Sequence, residues 1–268
     1  MEVLHFEYKM EIQYENPVHL CHFTIKCIPK NDERQQLLDS KISLEPSCPY
    51  SFGEDAWQNR QIYGRVEGAH DFFSFRISGN VQNKEIAYEE KARTERISVY
   101  RFPAGKCQPG RELLAYYASF SDLLKELPDK RKQCEYIMQR LYEDFSYVPS
   151  ATGMDTSAEE AWSQRKGVCQ DYAHIYISLL RLAGIPARYV CGLIEGEGAS
   201  HAWTEALLGN DWCGFDPTHN WPVKKGYVKL GDGRDAMDCA INRGIMFGGG
   251  RQEQKISVLV EERKTEDK

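Results

Sequence analysis

A cysteine, a histidine and an aspartate, in that chain order, have the types and local settings of a nucleophile, a base and its orienter. The cysteine is Cys169, in the run Gly167-Val168-Cys169-Gln170-Asp171-Tyr172-Ala173-His174. After it, Ala173, Tyr176, Ile177, Leu180 and Ala183 recur at three- and four-residue steps, the stripe of an amphipathic helix. Gly184 and Pro186 stop that helix. Cys169 therefore opens the helix and lies on the buried stripe. The unpaired N–H groups and the positive dipole end found there favour a thiolate over a thiol. Upstream, Thr156-Ser157-Ala158-Glu159 has capping-box spacing, which predicts a short helix running to about Lys166.

Such a thiol needs a base. Ser200–Leu208 reads as a strand, Gly209-Asn210 as a turn, and Trp212–Asp216 as the returning strand, stopped by Pro217. A two-residue loop pairs Leu208 with Asp211, sets Trp203 opposite Asp216 and leaves His201 one diagonal step away. Neighbours so related lie roughly 5–8 Å apart at Cβ, within reach of a His–carboxylate hydrogen bond. An odd loop length would put His201 and Asp216 on opposite faces.

The residues that build this constellation also carry a resemblance. Gly167–Ala173, Gly184-Ile185-Pro186-Ala187-Arg188-Tyr189-Val190, Ser200-His201-Ala202-Trp203 and Phe215-Asp216-Pro217-Thr218 resemble the bacterial transglutaminase-like family. The likeness extends to Gly233-Arg234-Asp235 and Arg243-Gly244. Tyr14–Val18, the Pro29 region with Gln35, and Asp55–Asn59 resemble the N-terminal β region of the same proteins. Gln58 stands where that family carries glycine, so a different turn is expected there. The resemblance implies a papain-like core in which Cys169 is the nucleophile, His201 the general base and Asp216 its orienter.

At 268 residues the chain has room for one large domain or two. A net charge of −6 gives no pull toward nucleic acid or anionic membrane. Residues 1–17 hold no apolar signal segment, and the most apolar helix is interrupted by Arg181. Nine cysteines without a regular spacing argue against a disulfide framework and for a reduced, cytoplasmic protein. The sequence does not set an oligomeric state.

The elements that must position the site follow from patterning. Residues 3–14, 18–28, 35–44, 72–77 and 95–102 read as short strands, which predicts an all-β sandwich over residues 1–104. Pro103, Gly105, Pro109 and Gly110 read as a linker. Asp129 caps a helix carrying Cys134, Ile137, Met138, Leu141 and Phe145. Segments 223–230, 236–247 and 256–260 read as strands completing the sheet of a catalytic domain over residues 105–268. The fold class expected is α+β, a β-sandwich followed by a papain-like, transglutaminase-like core.

Each candidate has a plainer reading. A lone Cys169 is more often a packed thiol, and its company tips it toward catalysis. His174 lies roughly 140° around the helix from Cys169 and cannot serve it. His219 reads as a loop or rim residue. Asp171 opposes a thiolate if it faces one, so it is expected to point away and anchor a loop, with Arg188 as its partner. Trp203, Gln170 and Tyr147 are candidates for cleft wall or support, with Trp162, Trp212 and Trp221 behind them. The Cys169 N–H and a side chain near Tyr147 are candidates for the oxyanion hole. His19, Cys21, His22 and Cys27 do not share a strand face, so no metal site is expected, and no cofactor. The chemistry is acyl transfer on the amide of a peptide or protein, through a thioester. Water as acceptor gives a protease or amidase, the preferred reading. An amine gives a protein-glutamine crosslinking transferase, and a non-catalytic peptide-binding module is a third possibility.

Overall fold

The computed structural model describes residues 1–84, 89–92 and 94–263. Two antiparallel sheets share the work. The first is laid down by β1 (Glu2–Ile25), β2 (Gln35–Glu45), β3 (Tyr50–Glu54) and β4 (Arg60–Asn83). Leu4, Phe6, Tyr8, Met10, Ile12 and Tyr14 alternate inward along β1 and are buried, while Glu7, Lys9 and Glu11 alternate outward. The break expected at Asn16-Pro17 is only an irregularity of register between Gln13 and Val18, and the strand runs on.

A short strand, β5 (Glu89–Lys91), crosses to the second sheet. Residues 94–100 then form a 3₁₀ helix rather than the strand expected over 95–102. Tyr100 anchors that turn, its ring 5.7 Å from Trp57 and 5.4 Å from Trp212. Helices α1 (Arg111–Ala118), α2 (Ser121–Glu126) and α3 (Lys130–Asp144) follow, with Asp129 capping α3 through Lys132 N at 2.8 Å. Next come β6 (Ser146–Tyr147), α4 (Ala158–Gln164) and β7 (Lys166–Gly167), and then α5 (Cys169–Leu182).

The capping box of α4 sits one residue later than the spacing suggested: Ser157 pairs with Glu160. That frees Glu159, whose carboxylate accepts from the N–H groups of Gly110, Glu112 and Leu113 at the start of α1. One helix thereby caps another. Helix α5 is buried all round from Asp171 to Arg181, not only along one stripe, because α3, α4 and the second sheet enclose it.

The second sheet runs β12-β11-β10-β8-β13, with β5 on β11. Its strands are β8 (Ala187–Ile194), β10 (His201–Leu208), β11 (Asp211–Asp216), β12 (Trp221–Pro222) and β13 (Tyr227–Gly233), with β9 (Gly196–Gly198) between β8 and β10. The last strands, β14 (Asn242–Gly248) and β15 (Gln252–Glu262), do not complete this sheet as expected: both pair with β1. A cut after residue 104 therefore divides the first sheet, whose order is β2-β4-β1-β15-β9. Period-two alternation identifies a strand but not the edge it joins. Through β9, the first sheet also holds the connection leading into His201.

Gln58 takes φ 61°, the left-handed region a glycine fills most easily, with Asp55 Oδ1 accepting from Trp57 N and Asn59 N across the turn. All nine cysteines are free thiols. Among the described residues, no helix is long and apolar enough to cross a membrane.

Candidate active site

Cys169 is the first residue of α5 and is half-buried. Val168 precedes it as N-cap and has no side-chain acceptor to offer the helix. Asp171 supplies the reciprocal bond, accepting Val168 N–H at 2.8 Å and Thr152 Oγ1–H at 2.5 Å. Its burial pushes the Asp171 carboxyl up, and these bonds oppose that. A Cβ on Gly167 would lie within 2.8 Å of the Asp171 carboxyl carbon, so the residue two before the cysteine is a glycine for want of room. Asp171 is not among the cleft-lining residues and anchors the loop carrying Thr152. Its expected partner Arg188 is elsewhere, bonded to Glu205 and Glu90 on the second sheet. The register decides this, since Glu205 lies directly opposite Arg188 on β10 and β8.

The β10–β11 turn is the two-residue loop expected, with Leu208 paired to Asp211 and Thr204 to Phe215. His201 and Asp216 consequently share a face, and His201 Nε2 lies 2.7 Å from Asp216 Oδ2. That leaves the other ring nitrogen, Nδ1, unused by Asp216, and the nearby Cys169 thiol acts on the ring. Burial lowers the affinity of His201 for its proton, but the bonds to Asp216 and Cys169, and their charges, outweigh it and raise the pKa to about 10. Asp216 is fully buried. Burial pushes its carboxyl up, and hydrogen bonds from His201, His219 and Tyr227 more than reverse this, holding it well below the usual carboxylate range.

Cys169 and His201 line one cleft of 450 Å³, together with Tyr147, the 194–200 segment except Gly196, Thr218 and His219. Tyr147 is half exposed in its wall. Trp203 supports the site from beneath: it is fully buried against Val190, Val223 and Tyr227, its ring 6.4 Å from that of His201. Gly192 lies under it, where a Cβ would meet the Trp203 ring at 2.3 Å. Gln170 turns out of the cleft toward the carbonyls of Gly153 and Met154. Trp162 lies under Arg165 and Trp212 under Arg188, both away from the cleft.

His174 is fully buried, and its Nε2 accepts from Ala236 N at 3.1 Å, so it serves structure. His219, expected at the rim, reaches inward: its Nδ1 lies 2.8 Å from Asp216 Oδ2. Its spacing of three residues beyond Asp216 across a tight turn was the available signal. Tyr227 had none, since only the pairing of β13 with β8 brings it to Asp216. Ligand atoms of His201, Asp216 and His219 lie within 4.8 Å of one another, the grouping with metal-ligand character among the described residues. Its nitrogens share one carboxylate oxygen at 2.7 and 2.8 Å, the spacing of direct hydrogen bonds. In the His19–Cys27 segment, Cys21 and Cys27 face the core while His19 and His22 face outward.

Comparison with known proteins agrees with this architecture. Residues 4–82 match the bacterial transglutaminase-like N-terminal region, and residues 120–217 match the transglutaminase-like superfamily. An uncharacterized protein of Mycobacterium leprae is 39% identical over 125 residues, which is 43% of this chain and 44% of that one. A protein-glutamine gamma-glutamyltransferase of Pseudomonas aeruginosa is 35% identical over 99 residues, 31% of this chain and 15% of that one. The matches thus span less than half the length of these relatives. A candidate cysteine protease from Cytophaga hutchinsonii has the same fold, with a TM-score of 0.79, 22% identity and coverage of 100% of this chain and 93% of that one. With both regions matched in order, the chain belongs to the bacterial transglutaminase-like proteins of the transglutaminase-like superfamily.

Proposed function

We propose that this protein is a cysteine-dependent acyl-transfer enzyme acting on the amide bond of a peptide or protein. Cys169 is the nucleophile, His201 the base and Asp216 the residue that orients the base. One observation carries the reading: Cys169 and His201 line the same cleft, and Asp216 holds His201 by Nε2, which leaves Nδ1 for the thiol. His201 takes the Cys169 proton and the thiolate adds to the amide carbonyl. The N–H of Cys169, unpaired at the helix start, stabilises the oxyanion. The imidazolium returns its proton to the leaving amine and a thioester remains. Water then attacks the thioester, giving up a proton to His201, and the thiol is released. The exposed 195–199 wall leaves the thioester open to water, which favours hydrolysis.

A second reading, transfer to an amine, draws on the charge of that wall. Glu195 and Glu197 line the cleft, and among the described residues no Lys or Arg lines it, so an ammonium group is attracted. Incubation with glutamine-containing peptides, with and without a primary amine, separates the two by product mass. Hydrolysed product irrespective of the amine supports the first reading and an amine adduct the second. Turnover that survives Cys169→Ser overturns both.

A further inference from the structure

Asp216 is held in more ways than orientation requires. Its Oδ1 accepts the backbone N–H groups of Thr218 at 3.0 Å and His219 at 3.3 Å, and these bonds already fix the carboxylate in the turn after β11. Its Oδ2 nevertheless carries two contacts besides His201. His219 Nδ1 lies 2.8 Å away and the Tyr227 hydroxyl donates at 2.7 Å, itself accepting from Trp221 Nε1 at 2.9 Å. The His219 ring is fixed by stacking on Trp221, centroids 4.7 Å apart and planes 8° apart, and lies 5.2 Å from the His201 ring. A carboxylate oxygen has charge for several donors, but each one that binds leaves less for the others.

We propose that His219 and Tyr227 are positioning residues that tune the base. By sharing Asp216 Oδ2 they weaken its hold on the His201 imidazolium, so that the proton taken from Cys169 passes on to the leaving amine. This rests on the triad reading above. No bond beyond that reaction is made or broken: the proton stays on His201 between its two transfers, and the two extra donors keep theirs. The ionisable groups facing the pair are Cys169 from α5, Tyr227 from β13, and His219 from the turn. Glu195 and Glu197 line the outer cleft, and Lys224 lies 4.6 Å over the Trp221 ring.

Removing a competing donor concentrates the Asp216 charge on His201 and stabilises the imidazolium. The titration midpoint of the His201 ring, followed by NMR and assigned with His201→Gln, is expected to rise by about half a unit in His219→Ala and in Tyr227→Phe, and further in the double variant. His219→Gln keeps an N–H donor and is expected to hold the midpoint near that of the parent protein. Tyr227→Phe keeps its ring in the cluster with Val190 and Trp203, so loss of fold does not stand in for loss of the hydroxyl. In the same variants kcat at neutral pH falls several-fold with KM unchanged. Midpoints that stay in place, or fall, in both single variants overturn the proposal. Failure of the triad reading registers separately, as Cys169 alkylation in the parent protein that does not depend on His201.

Discussion

Replacing Lys229 with methionine tests the structure beneath the site. Lys229 is wholly buried, and its Nζ lies 2.9 Å from Glu90, 3.0 Å from Glu205 and 3.1 Å from Asp232. Arg188 pairs with the same three carboxylates, and Lys30 with Asp232 at 2.7 Å. Within these six groups the charges balance, and Lys229→Met leaves one carboxylate in excess in the interior. Removing one partner of a buried pair costs about 3–5 kcal/mol, and since Arg188 still reaches the carboxylates the lower end, about 3 kcal/mol, is expected. Urea unfolding at pH 7 followed by tryptophan fluorescence reads this directly, and the melting temperature should fall by about 6–12 °C.

The acid side supplies a second, signed check on Lys229→Met. In the parent protein burial raises the Glu90 carboxyl, but Lys229 and Arg188 outweigh it and lower the pKa to about 2. Its contribution to stability is therefore present above the unfolded carboxylate range and lost as pH falls toward 2. In the variant the excess carboxylate has a raised pKa, so the stability lost to the substitution is partly regained as pH falls from 7 toward 5. Adding Glu205→Gln restores neutrality and should recover part of the loss at pH 7. A loss below about 1 kcal/mol with no such pH dependence would show that these charges are not held in a low-dielectric interior.

Glu159→Ala removes three bonds to the start of α1 and should cost about 2 kcal/mol in thermal unfolding, and an unchanged melt would refute the cross-helix cap. Burial lowers the His174 pKa to about 4, so its contribution to stability is lost as pH falls from about 6.5 through 4. His174→Gln, which keeps an acceptor for Ala236 N–H, should flatten that part of the pH–stability curve, and an equally steep decline would contradict the assignment. Gly192→Ala forces a Cβ to within 2.3 Å of both the Trp203 ring and the Val228 carbonyl oxygen, and should cost at least about 2 kcal/mol while slowing Cys169 alkylation. Crystal-quality folding with an undisturbed rate would sink that reading.

Local signals carried much of this structure. Gly184 and Pro186 bracket the end of α5, Asp129 starts α3, and the even Gly209-Asn210 loop puts His201 and Asp216 on one face. Each follows from turn or cap chemistry within a few residues. What the chain did not disclose depends on which edges meet. The alternation of 256–260 marks a strand, yet only the unpaired edge of β1 determines that β15 lies there. Arg188 had a plausible partner in Asp171 by sequence proximity to the site, and the β8–β10 register gave it to Glu205 instead. Glu159 fitted a cap for its own helix and proved to cap α1. His219 and Tyr227 reach Asp216 from a turn and from a strand three places away in the sheet, and neither position has a pattern of its own.

The central claim is that Cys169 is a nucleophile activated by His201, itself held by Asp216. The most direct measurement is the rate of iodoacetamide labelling at each cysteine across pH, read by peptide mass spectrometry in the parent protein and in Cys169→Ser, His201→Ala and Asp216→Asn. The account predicts that Cys169 labels much faster than the other eight cysteines near neutral pH, and that His201→Ala removes this advantage and Asp216→Asn reduces it. Labelling of Cys169 at the rate of the other accessible thiols, or at an unchanged rate without His201, would contradict it.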